Sequence, residues 1–326
     1  MKRRNQFKIP PGAAPEALLD FLSRRFTYLS RETWDETIRR GRVSVNGQAA
    51  DSARVLAAGD VVESELEGRE EPPVDERFGV VFEDDDLLVA DKPGNLPCHP
   101  SGSYFNHTLW ALLKARRRIE SPVMVNRLDR ETSGLVVVAK NVRAAKLCQA
   151  EFAGRRVDKV YLALVEGLFP DERRASGAMR ESDSGVIRKR RVFVEGVPPA
   201  ESGGDWADTR FRRLWEGGGV SLVEVLPSTG RLHQIRATLL ACGFPVVGDK
   251  VYGADPEFFL RFCRGALTEA DRARLRMDRQ ALHAARLRLR HPRTQKWLDL
   301  EAPLPADIKA VLRTCGHGAG KPEAPA

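Results

Sequence analysis

The sequence predicts an α+β protein: a mixed, mainly antiparallel central sheet with flanking helices, preceded by a small N-terminal α/β module. Three observations carry that expectation. Strand-like segments outnumber helical ones and several are joined by short turns, which does not suit a regular βαβ alternation. The 326 residues, 42% of them hydrophobic, suffice for one large core and a second small one. Between the two, "EGREEPPVDERF" is charged, proline-containing and without apolar periodicity, so residues 68–77 read as a linker between a unit at 15–67 and a domain at 78–313.

In the N-terminal unit, "PEALLDFLSRRF" has helical spacing. "SRETWDETIRRGRVSVNGQ" reads as a second helix with Ser30 as N-cap, a glycine stop and a short strand, and Asn46-Gly47 marks a hairpin turn. "ADSARVLAAGDVVES" closes the unit with a further strand. Arg39, Arg40 and Arg42 therefore cluster where helix gives way to strand, a position where cations also suit the helix macrodipole.

In the larger domain, "GVVFEDDDLLVADKPGNLPCHP" reads as two strands about an acidic turn and then a proline-stiffened loop, and "HTLWALLKARRR" as an amphipathic helix. Val136 to Val138 form the centre of a buried strand, "VRAAKLCQAEFAG" is helical, and "VDKVYLALVEG" alternates like a strand. "TRFRRLWEGGGVSLVEVLP" predicts a hairpin across Gly217–Gly219, "STGRLHQIRATLLACG" a loop entering a helix, and "ALHAARLRLRHPRTQKWLDLEAP" a closing hairpin. Residues 256–280 look like an arginine-rich helical excursion, and residues 316–326 like a disordered tail.

A formal net charge of +8, from 53 Lys and Arg against 45 Asp and Glu, favours a polyanionic partner. The five cysteines are scattered and odd in number, with neither disulfide nor zinc spacing, which points to a reducing, cytoplasmic setting. Lys2-Arg3-Arg4 is not followed by an apolar segment, and no uncharged stretch reaches membrane-spanning length, so neither a signal peptide nor a membrane partner is expected.

Three stretches concentrate the chemistry: "NRLDRETSGL", "VDKVYLALVEG" and "STGRLHQIRATLLACGFPVVGDKVYG". Each has a plain structural explanation: Asp129 as a turn cap, Tyr161 as a core aromatic, Arg231 and Arg236 as solvated helix residues, His233 as a structural side chain. Together they carry the signature "RLD-x-x-TSGL" at Arg127–Leu135, "K-x-Y-x-A-x-V-x-G" at Lys159–Gly167 and "TGR-x-HQIR" at Thr229–Arg236, followed by "GDKVYG" and "LHA". In this the chain resembles the RluA family of pseudouridine synthases, from about Val80 to Pro303.

The resemblance implies the pseudouridine synthase fold, an isomerase acting on uridine in RNA, and no cofactor or metal. Asp129 would be the catalytic carboxylate, serving either as nucleophile or as base. Arg236 would keep it ionised and oriented, and Tyr161 would lie against the uracil ring and take part in late proton transfer. Arg127 would displace the nucleotide or contact its phosphate, and Arg231 would position substrate or loop. The N-terminal unit resembles the S-four-type (alpha-L) RNA-binding module, which would set Arg39, Arg40 and Arg42 on RNA phosphates. The run "IRKRRVF" follows the Tyr161 strand, and Arg188, Lys189, Arg190 and Arg191 would hold the strand flanking the target. The expected partner is structured RNA, ribosomal RNA ahead of transfer RNA, and the expected state a monomer.

The pattern departs from the family at Asn126, Thr238 and Asn95; asparagine tolerates the positive φ that the usual glycine would supply at 95. Competing readings are a non-catalytic RNA-binding or ribosome-assembly protein on the same scaffold, and a hydrolase using His233 or His283 with Ser228 or Ser133. The latter lacks a nucleophile-elbow motif. A glycosidase-like pair lacks a second acid beside Asp129.

Overall fold

A computed structural model describes residues 3–26, 29–66, 71–182, 187, 190–255 and 257–316. Arg188, Lys189, residues 68–70 of the expected linker and residues 317–326 of the expected tail lie outside the described residues. The chain divides into two compact units, residues 1–73 with 99–107, and residues 74–98 with 108–326.

In the N-terminal unit, β1 (Arg3–Lys8) is followed by β2 (Glu16–Ala17), α1 (Leu18–Arg25) and α2 (Arg31–Arg39). Then come β3 (Val43–Val45), β4 (Gln48–Ala49), β5 (Val55–Leu56) and β6 (Val61–Leu66). Leu18, Phe21 and Leu22 on α1 meet Trp34 and Ile38 on α2 and the inward residues of β3 and β6. Ser30 caps α2, its hydroxyl accepting from Thr33 N at 3.3 Å. Asn46 and Gly47 both take positive φ between β3 and β4. The unit begins earlier than residue 15, because β1 pairs antiparallel with β6 along its whole length. Its sequence, "RRNQFK", is polar and bears no apolar alternation, as suits an edge strand of the order β1-β6-β3-β4. The expected linker is also tied down in part: the Glu71 carboxylate accepts from the backbone N–H groups of Phe105, Asn106 and His107.

The second unit runs β7 (Gly79–Glu83), β8 (Leu87–Lys92), α3 (Leu109–Arg117), β9 (Val123–Met124), β10 (Ser133–Ala139), α4 (Val142–Ala153) and β11 (Asp158–Glu166). It continues through β12 (Glu172–Glu181), β13 (Arg191–Glu195), α5 (Pro199–Ser202), β14 (Asp205–Gly217), β15 (Val220–Pro227) and α6 (Gln234–Ala241). It ends with α7 (Phe258–Cys263), α8 (Glu269–Leu275), β16 (Leu282–Arg290), β17 (Trp297–Glu301) and α9 (Ala306–Thr314). The strands form one mixed sheet in the order β13-β12-β14-β15-β11-β16-β10-β8-β7, with β17 beside β16 and β9 beside β10. Its only parallel pair among the described residues is β10 with β16. The 256–280 excursion resolves into α7 and α8, and the sequence reading omitted α9 and the β12–β13 hairpin.

All seven residues of β10 are buried because helices cover both faces. Val136 and Val138 pack with Leu109, Leu112 and Leu113 of α3, while Leu135 and Val137 pack with Ala144, Ala145 and Cys148 of α4. A third cluster joins β11, β14 and β15 to Ile235 and Leu239 of α6 and Ile308 and Leu312 of α9. Gly134 enters β10 at φ +110°, where a Cβ would stand 2.2 Å from the Ala284 carbonyl oxygen, so glycine lets β10 and β16 approach. That contact fixes the loop before β10 against the start of β16. None of the described helices is long and apolar enough to cross a membrane.

Candidate active site

The loop carrying Asp129 is fastened from several parts of the sequence. Lys92, at the end of β8 and completely buried, donates to the carbonyls of Pro93, Leu96 and Arg130 at 2.9, 2.8 and 3.1 Å. Leu96 N also reaches the Arg130 carbonyl. Arg279 donates to the Glu131 carbonyl at 3.0 Å, and Lys250 to the Glu131 carboxylate at 3.0 Å. Gln280 bonds the Thr132 hydroxyl at 2.5 Å and approaches Asp129 Oδ2 at 3.4 Å. Asn126, one of the departures from the expected pattern, bridges to β10: its amide donates to Leu135 O and accepts from Val137 N. Asn95 takes φ +59°, so the neighbouring turn keeps its shape without glycine.

Arg236 comes from the first turns of α6. Gln234 sets the approach: its Oε1 accepts from the Thr229 hydroxyl and Arg231 N, and its Nε2 donates to Thr209 Oγ1 and the Asp208 carbonyl. A single buried amide thus fixes the "TGR-x-HQIR" loop. Arg236, 5% exposed, donates through Nη1 to Asp129 Oδ2 at 2.7 Å. Its Nε and Nη2 make a bidentate pair with the fully buried Asp249 at 2.6 and 2.8 Å. Asp249 Oδ1 also accepts from the backbone of Val251 and Tyr252, and the Arg236 guanidinium lies 4.9 Å from the centre of the Tyr252 ring.

This arrangement decides the charge of Asp129. Burial opposes ionisation, but the Arg236 charge, His233 and the hydrogen bonds from Arg236 and Gln280 together outweigh it and hold the carboxyl below the usual carboxylate range. Asp249 is held down in the same sense by Arg236 against its burial. The Asp129 side chain remains 28% exposed, so an ionised carboxylate is presented to an incoming group. Tyr161 lies on β11 where the pairing with β16 is irregular, between Val160 and Tyr161, a distortion that re-aims side chains. It packs against two of the core clusters; burial, with Asp129 adding, pushes its phenol up to about 12, so the hydroxyl stays protonated.

The other basic residues singled out by sequence are placed less uniformly. Arg127 is exposed beside Asp129 on the same loop. Arg231 is occupied locally, bonding the Trp206 carbonyl at 3.1 Å and pairing with Asp205. Arg191 pairs with Glu181, and Arg190 stacks on the Tyr252 ring at 5.8 Å. On α2, Arg39 and Arg40 form exposed i,i+4 pairs with Asp35 and Glu36. Asp249, Tyr252, Gln280 and Lys92 were not foreseen as site residues; the only signal was that three of them fall in "GDKVYG" and "KPGNLPCHP".

Of the hydrolase pairs, Ser133 Oγ and His283 Nδ1 do meet at 3.0 Å, but both are buried. His283 Nε2 donates to the Ala302 carbonyl, and burial lowers its pKa to about 4, so the pair is a neutral core link that substrate cannot reach. Asp84, Asp86 and His291 are the set among the described residues spaced to hold a metal ion. Their ligand atoms are already used: Asp84 bonds His291 at 2.7 Å and two backbone N–H groups, and Asp86 bonds Arg293 and Asn141.

Comparison with known proteins agrees with the motifs. Residues 86–241 match the family described as RNA pseudouridylate synthase. The chain is 33% identical over 263 residues to the mitochondrial tRNA pseudouridine(32) synthase of Saccharomyces cerevisiae, covering 80% of this chain and 55% of that protein. It is 30% identical over 319 residues to ribosomal large subunit pseudouridine synthase C of Vibrio cholerae, covering 93% and 94%. The structure of human RNA pseudouridylate synthase domain containing 1 superposes with a TM-score of 0.56 at 28% identity, over 74% of this chain and 90% of that one.

Proposed function

The chain belongs to the RNA pseudouridylate synthases, a family of isomerases, and on that premise we propose that Asp129 is the carboxylate that opens the glycosidic bond of a uridine in structured RNA. The observation that carries this is the 2.7 Å contact of Asp129 with a buried arginine whose other side is held by Asp249. An ionised carboxylate is what both available routes share, whether it attacks C1′ of the ribose or takes a proton from C2′. Arg236 keeps that charge while leaving one carboxylate oxygen to the substrate. Once the uracil nitrogen is released, the base turns and rejoins the sugar through C5, which must then lose its proton. Tyr161 presents an aromatic face that supports the displaced base against its lost stacking, and because its phenol stays protonated it serves the late transfer as a relay, taking the C5 proton as it passes its own to the Asp129 carboxylate. Arg127 fills the gap or meets the phosphate, because a paired base cannot reach the carboxylate.

The preferred substrate in this reading is large-subunit ribosomal RNA, bound by the catalytic unit together with the N-terminal unit acting as an S-four-type module; Arg39, Arg40 and Arg42 contribute phosphate contacts there, as does the run Arg188, Lys189, Arg190 and Arg191 in the catalytic unit. The enzyme acts as a monomer in the cytoplasm. The similarity to a transfer RNA synthase supports a second reading, a tRNA substrate. Incubating the protein with ribosomal and transfer RNA transcripts and mapping pseudouridine separates the two. Asp129→Asn should bind RNA within several-fold of wild type and form no product; activity above a few per cent of wild type would refute the assignment.

A further inference from the structure

The buried Tyr252 hydroxyl lies between two partners: Arg191 N, at the start of β13, donates to it at 2.7 Å, and His233 Nδ1 is 3.0 Å away. A backbone N–H can only donate, whereas a phenol has one proton to give. If His233 carried its proton on Nδ1, the phenol proton would be stranded in the core. Tyr252 therefore donates to Nδ1, and the neutral His233 ring bears its proton on Nε2. That nitrogen faces Asp129 Oδ1 at 3.7 Å, whereas Arg236 holds Oδ2. His233 also takes φ +58° immediately before α6 without capping the helix through its side chain, so a costly backbone conformation serves to place the ring.

We propose that His233 is a positioning residue for the isomerisation: its Nε2–H, fixed by Tyr252, orients the second oxygen of Asp129 and ties it to the seating of β13. The inference rests on the reading of Asp129 as the reacting carboxylate. It also joins the two jobs of the site, since β13 begins with Arg191 and Arg190 stacks on the same tyrosine ring. The charged groups facing His233 are Asp129, Arg236, Asp249 and Arg191; burial lowers its pKa below 6.5, against Asp129. Protonation at Nδ1 would expel the tyrosine proton and lock Asp129 between two cations, so the rate should fall on the acid side as His233 becomes charged.

The test compares His233→Gln, whose amide reaches the Nε2 position without titrating, with His233→Asn, whose shorter amide does not reach Asp129. With the full-length protein in excess over a transcript that it modifies, His233→Asn should slow single turnover about 10- to 100-fold at unchanged RNA affinity, the scale of one hydrogen bond to a charged group once the 3.7 Å approach closes on bound substrate. His233→Gln should recover most of that loss and lack the acid limb that wild type shows below 6.5. An Asn variant as fast as wild type, or a Gln variant that keeps the limb, overturns the proposal. Nitrogen-15 spectra of the wild-type ring supply a measurement that does not depend on variants folding: an Nδ1–H tautomer or a charged ring at neutral pH also overturns it. Wild-type protein that modifies no transcript would instead refute the isomerase reading, and the ring spectrum would still decide the tautomer.

Discussion

Arg236 is shared by two carboxylates, and removing the charge of each should have opposite consequences. In Asp249→Asn, one oxygen of a fully buried acceptor becomes an NH2 that faces the guanidinium. Breaking a buried pair by neutralising one partner costs about 3–5 kcal/mol, because the remaining charge stays desolvated. At roughly 2–4 °C per kcal/mol for a domain of this size, the melting point should fall by roughly 6–20 °C. In Asp129→Asn, by contrast, Arg236 keeps its bidentate partner and the altered group was 28% exposed, so stability should change by about 1 kcal/mol. Activity should disappear in that variant all the same, whereas Asp249→Asn should retain a residual rate reduced by about 10- to 100-fold, because Asp129 is still present beside a misplaced arginine. Urea and thermal unfolding, paired with single-turnover assays below the melting point of each variant, read both quantities. If Asp129→Asn proves the more destabilising, or Asp249→Asn the less active, the division into a reacting and a supporting carboxylate is wrong.

Gly134→Ala should lower stability by at least about 3 kcal/mol or give insoluble protein, since the new methyl would meet the Ala284 carbonyl at 2.2 Å; a melting curve within 2 °C of wild type would contradict this. Asp208 has its pKa lowered to about 2; burial opposes the shift, and Arg174 and Ser176 more than offset it. Its stabilisation is present above the unfolded value near 3.8 and is lost as pH falls towards 2, so Asp208→Asn should flatten that part of the stability profile, as measured by urea midpoints. Tyr161→Phe should bind RNA as tightly as wild type and slow the reaction after bond cleavage, whereas Tyr161→Ala should also bind several-fold more weakly; equal affinities for the two would remove stacking from its role.

Local patterns carried most of this protein into view. The run around Val136, sandwiched between α3 and α4, reads as a buried strand because both of its faces are covered, and the Asn46-Gly47 turn and Ser30 cap are written in a few adjacent residues. Asp129, Tyr161 and Arg236 were picked out by motifs, and Asp129 and Arg236 prove to be in contact. What was missed depends on distant partners. "RRNQFK" becomes a strand only by pairing with β6, and "ERRASGAMRE" has too few branched residues to announce β12. The "KPGNLPCHP" and "GDKVYG" stretches mark Lys92 and Asp249 without revealing the three carbonyls around the one or the clamp of the other on Arg236, and the Gln280 contact with Thr132 has no local signature.

The parallel contact between β10 and β16 joins residues 133–134 to 283–284, and the Asp129 loop is also held by Lys250, Arg279 and Gln280. A chain emerging from the ribosome therefore has Lys92 in place from the start but carries Asp129 for 107 residues before Arg236 exists and for about 150 before Arg279, Gln280 and the start of β16 do. Such long-range closure is slow compared with the local hairpins that precede it. The nascent chain should thus stay inert towards the RNA around it, and a product cut short before β16 should have no activity even though all three signature motifs are present. Switching on is then a property of synthesis itself: β16, followed in the sheet only by β17 among the described strands, completes the site that the first motif began.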